Sequence, residues 1–111
     1  MFKISLNRVH DKVEIKEGDE KIMLHVDSDP MRMVAGLSQA QKMLQELNKD
    51  SSDEETDKAA QYFATVIFGK EQAETLVAFY HNDAACVINV CGQYFSKRLG
   101  KLITAAQKKM K

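Results

Sequence analysis

His81, Cys86 and Cys91 are the residues whose types come nearest to chemistry, because imidazole and thiolate together form the donor set of a zinc site. On a helix, a step of five residues turns a side chain by about 140°, so the three would point away from one another, and no fourth ligand is close in sequence. No metal is expected. The same geometry forbids a Cys86–Cys91 bridge within one helix, and both read as free, buried thiols in a reducing compartment. A nucleophilic Cys91 would need one of the three histidines, His10, His25 or His81, as its base, and nothing in the spacing pairs them. The run Asp53-Glu54-Glu55-Thr56-Asp57 could suggest a divalent cation. It lacks the alternation and internal glycine of a calcium loop, and helix N-termini favour acids. The five glycines are too scattered for a phosphate loop. No catalytic residue and no cofactor is expected.

Composition narrows the class further. The chain has 111 residues, 44% hydrophobic and 29% charged, which suits one globular domain over 1–111. Sixteen basic and sixteen acidic side chains cancel, leaving no global field toward nucleic acid or an anionic membrane. The charge is uneven, however. Acids gather between Glu46 and Asp57, whereas Lys97, Arg98, Lys101, Lys108, Lys109 and Lys111 have no acid among them. That tail reads as a solvated helix end. The alternative is a small helical nucleic-acid-binding regulator using the basic C-terminal helix. Against it, Tyr94 and Phe95 lie on the apolar side of that helix, and a helix-turn-helix over 70–92 would carry an apolar recognition helix. MFKISLNRVH lacks a secretory signal's apolar stretch, and no run approaches the roughly 20 apolar residues of a membrane span. A cytosolic protein is expected.

The elements that would position these residues follow from hydrophobic period. Val13 and Ile15 alternate with Lys12, Glu14 and Lys16, and Ile22, Leu24 and Val26 resume the alternation after Gly18. This predicts a β-hairpin of strands 12–16 and 21–26 with Glu14, Lys16, Lys21 and His25 outward. A lone hairpin is marginal in water, so its apolar face must lie on helices, or Phe2, Ile4 and Leu6 must add a third strand. Pro30 then opens a helix over 30–47, marked by Met33, Val34, Leu37, Ala40, Met43, Leu44 and Leu47 and weakened slightly by Gly36. Ser52 and Glu55 form a capping-box pattern for a helix ending at Phe68, before Gly69. A shorter helix over 70–80 follows. After His81-Asn82-Asp83, one long helix carries a wide apolar stripe through Val87–Phe95 that reads as core. A narrower stripe beyond it offers Leu102, Ile103, Ala106 and Met110 to another subunit. The expected fold is mainly α (α+β): an N-terminal hairpin region, 1–26, packed on about four helices in 30–111, the last of them long.

The segment VIFGKEQAETLVAFYHNDAACVINVCGQYFSKRLGKLITAAQKK resembles the C-terminal region of tail assembly chaperones of long-tailed (siphovirus-type) phages and prophages of Gram-positive bacteria. The parts that carry the likeness are the helix ending at Ile67-Phe68-Gly69, the short helix with Leu76 and Tyr80, the Asn82-Asp83 break, and the last helix running into lysines. Asp27-Ser28-Asp29-Pro30 and its helix resemble the family's N-terminal half, so the likeness covers about residues 12–111. The resemblance implies a non-enzymatic protein of the host bacterial cytoplasm that coats the tape measure protein and recruits tail tube protein. It also implies that the lysine-rich end can mark a programmed frameshift. A chaperone of a helical client needs exposed apolar grooves. The expected self-association or client surfaces are therefore Met31 and Met33 on the first helix and Leu99, Leu102, Ile103, Ala106 and Met110 on the last. The six methionines otherwise suit core packing.

Overall fold

The computed structural model describes residues 9–28 and 30–101. Two strands, β1 (Val9–Glu17) and β2 (Glu20–Ser28), pair antiparallel, with Val13 opposite Leu24 and Ile15 opposite Ile22. Gly18 takes φ 61° at the reversal while Asp19 keeps a negative φ, the pattern of a type II′ turn, whose twist matches the strands it joins. The hairpin is longer at its open end than the alternation predicts, because Asp11 and Val26 still pair there. Ile15, Leu24 and Val26 face inward and are buried. Residues 2–6, the alternative third strand, lie outside the described residues.

Among the described residues four α-helices follow: α1 (Pro30–Gln45), α2 (Asp53–Phe68), α3 (Lys70–Phe79) and α4 (Ala84–Tyr94). The fold is mainly α with a two-stranded antiparallel hairpin. α1 ends two residues earlier than expected, because the chain tightens there, with the Leu47 amide donating to the Leu44 carbonyl, and Asn48 and Ser51 then bond each other's backbone. The Ser52 hydroxyl accepts from the Glu55 amide and caps α2, while Gly69 closes it at φ 87°. His81 and Asn82 both adopt left-handed φ, 53° and 64°, which ends α3 and lets the Asp83 carboxylate cap α4 at the Cys86 amide.

The last helix departs from expectation. Rather than one continuous α-helix, the chain passes from α4 into a π turn, Phe95–Leu99, in which the Gly100 amide reaches back to the Phe95 carbonyl. A π turn inserts one residue into the helical count and so shifts the side-chain phase. Here Leu99 ends fully buried while Lys97 and Arg98 stay outside.

α2 is the hub, touching α1, α3, α4 and β2. Its Ala60, Phe63, Ala64, Ile67 and Phe68 join Leu24, Val26, Met33, Leu37, Leu76, Val87, Cys91 and Leu99 in one core. Phe68 stacks on Tyr94 with ring centroids 5.8 Å apart. Small residues decide how near the helices come: a Cβ added at Gly36 of α1 would sit 3.0 Å from both methyls of Val66 on α2.

Candidate functional site

The expected partner-binding residues divide when placed in the fold. Met33 and Leu99 are 3% and 0% exposed and belong to the core, so neither can meet a partner. Their stripes are amphipathic for an internal reason: α1 lies on α2, and the π turn rotates Leu99 inward. Met31 stands in the first turn of α1, its side chain outside the described set. Leu102, Ile103, Ala106 and Met110 also lie outside the described residues. Exposed large apolar side chains among the described residues are Met23, on the outer face of β2, and Tyr62 on α2.

A cleft that helical periodicity did not foretell opens between α1, α2 and the π turn. It encloses about 340 Å³ and is lined by Val34, Leu37, Leu44, Phe63 and Phe95, with Ser38 and Gln41 at its polar side. Val34, Leu44 and Phe95 are only partly covered. The signal was present in α1, whose apolar positions span more than one face: 33, 37 and 40 fill the core, while 34 and 44 remain at the rim. Helical period marks apolar positions but not which of them a neighbouring helix covers. The cleft has no titratable group in its walls, so it can take apolar side chains and has no means of proton transfer.

Polar order is concentrated elsewhere, at a clamp between the hairpin and the last helix. Arg98 donates from Nε and Nη2 to the two carboxylate oxygens of Asp11, at 2.8 and 3.2 Å, and the Tyr94 hydroxyl donates to Asp11 Oδ2 at 2.7 Å. Tyr94 and Arg98 are four residues apart across the start of the π turn, which sets both over one carboxylate. The bond from Arg98, then that from Tyr94, holds the Asp11 carboxyl below the usual carboxylate range. Desolvation, followed by the hydrogen bond to Asp11, pushes the Tyr94 phenol up. The clamp is a structural tie, and it removes Arg98 from the free basic groups of the C-terminal face.

The thiols are distinct. Cys91 is fully buried, and desolvation pushes it up to about 12. Cys86, expected to be buried, is half-exposed at the first turn of α4, where desolvation and then its bond to Asp83 raise it. His81 is exposed, and among the described residues no three His, Cys, Asp or Glu side chains gather where a metal ion could bind. Among the same residues no helix is long and apolar enough to cross a membrane. No family model, curated protein or solved structure matches this chain.

Proposed function

We propose that this chain is a tail assembly chaperone that binds the tape measure protein of a long-tailed phage or prophage and promotes tail tube assembly without enzymatic activity. The resemblance of residues 12–111 to that family suggests the reading, and the apolar cleft between α1, α2 and the π turn is the observation that carries it. A tape measure protein is a long helical chain. An open apolar cleft between helices holds such a client by the side chains of its amphipathic face, weakly and at many repeats, as helix-in-groove recognition requires. The cleft's lack of charge suits a client surface that would otherwise aggregate.

Co-expression with a tape measure protein of a long-tailed phage or prophage tests the proposal. Val34→Lys with Leu44→Lys places charge at the rim without emptying the core. The variant is expected to keep its helical circular dichroism and to lose most client co-purification. A folded variant that retains its client, or a wild-type chain that fails to retain it, overturns the reading.

A further inference from the structure

The hairpin's two outer edges are treated differently. On β2, the side-chain amide of Gln72 on α3 bonds both the N–H and the C=O of His25, standing in for a neighbouring strand. Those two groups therefore point away from β1. In an antiparallel pair, opposite residues turn their backbone groups the same way, inward or outward, and the sense alternates along the strand. Lys12 faces His25, so Lys12, Glu14 and Lys16 present their N–H and C=O groups on the outer edge of β1. Among the described residues nothing bonds them.

Beside this edge runs a groove of about 460 Å³, with residues 13–17 of β1 as one wall and α4, flanked by Tyr80 and Lys97, as the other, and no residue of β2 in its lining. Its far wall presents Cys86, Val90 and Tyr94, all partly buried, together with exposed Asn89 and Gln93.

We propose that β1 binds an extended peptide of another protein by strand addition, seating it in the groove between β1 and α4. Open backbone groups supply the affinity, and the groove takes alternate side chains of the guest. The walls fix the guest's chemistry. Side chains facing α4 are small, valine-sized where they meet Val90 and Cys86, at a wall that Tyr80, Asn89, Gln93 and Lys97 make partly polar. Those on the solvent face lie beside Lys12, Glu14 and Lys16 and read acid, base, acid. A second copy of this chain does not fit that description, since the inward side chains of its β1 are already engaged: Ile15 is 7% exposed and Asp11 is held by Tyr94 and Arg98. The proposal stands apart from the chaperone reading, which concerns the α1–α2 cleft.

The test is amide hydrogen exchange by NMR on the whole chain, with an acetylated, amidated Val-Glu-Val-Lys-Val-Glu-Val peptide as probe. The Lys12, Glu14 and Lys16 amides are expected to exchange freely in the dilute protein and to slow roughly tenfold or more with the probe. The charge-reversed Lys-Glu-Lys peptide should bind roughly threefold more weakly. Methylating the amide nitrogens of the probe's Glu, Lys and Glu should abolish the effect with every side chain kept. Glu14→Pro, which removes an outward N–H and no ladder bond, should do the same from the protein side. The proposal is overturned by protection already present in the dilute protein, which would mean that the chain covers its own edge. Protection that rises with protein concentration alongside a dimer mass also overturns it, as does unchanged exchange at millimolar probe.

Discussion

At the scale of single residues, Asp11 connects the hairpin to the end of the helical region, and its charge is what the connection needs. Because its folded pKa lies below the ordinary value near 3.8, the folded protein holds the proton less readily than the unfolded chain. The stabilisation is thus complete above the unfolded pKa and is lost as pH falls through the lower folded one. Chemical denaturation at pH 6 and pH 3 should show wild type losing stability on acidification, and Asp11→Asn should be destabilised at pH 6 with less of that loss. Tyr94→Phe, which removes one bond and leaves the Arg98 fork, should cost about 1 kcal/mol. The cysteines separate by burial in the same way. Cys86 should react with a disulfide reagent at pH 8 in the native protein, whereas Cys91, raised to about 12 and fully buried, should react only on unfolding. Equal native rates would contradict this placement. Neither the clamp nor this difference was legible in the sequence: Asp11 stood just before the expected strand 12–16, 83 positions from Tyr94, with nothing local to link the two.

Element by element, the sequence was more legible. Alternation identified both strands, and capping residues marked the starts of α2 and α4, because those signals are local: a hydroxyl or carboxylate reaches an amide three residues on. What escaped was whatever depends on a neighbour. The π turn has no distinctive residue in Phe95–Leu99, and it is retained where it buries Leu99 and brings Arg98 to Asp11. Glycine shows the same dependence. Gly92 in α4 has nothing within 4 Å of an added Cβ, so Gly92→Ala should stabilise by about 0.5–1 kcal/mol through helix propensity alone. Gly36→Ala makes the same local gain but meets Val66 at 3.0 Å, and should be neutral or destabilising until Val66→Ala relieves it. Thermal melts of the two single variants and the Gly36/Val66 pair check this. If Gly36→Ala stabilised as much as Gly92→Ala, the close approach of α1 and α2 would be wrong.

Across the whole molecule, the hairpin and helices share one core through Leu24 and Val26, each 1% exposed. Two strands alone would not persist. Leu24→Ala should therefore cost about 2–5 kcal/mol, and hairpin amide signals and helical circular dichroism should be lost in one coincident transition. Separate transitions would show that the hairpin folds independently. The sequence by itself determined the mainly helical class, the hairpin, the breaks and the apolar positions, since period and capping act within a few residues. Only the tertiary structure decided which apolar positions are covered. Met33 and Leu99 went to the core, while Val34, Leu44 and Phe95 were left around an open cleft. The outward sense of the Lys12, Glu14 and Lys16 backbone groups was decided in the same way, through Gln72, which reaches the other edge of the hairpin from α3; among the described residues nothing bonds them. Burial belongs to pairs of surfaces, and a periodic sequence describes one surface at a time.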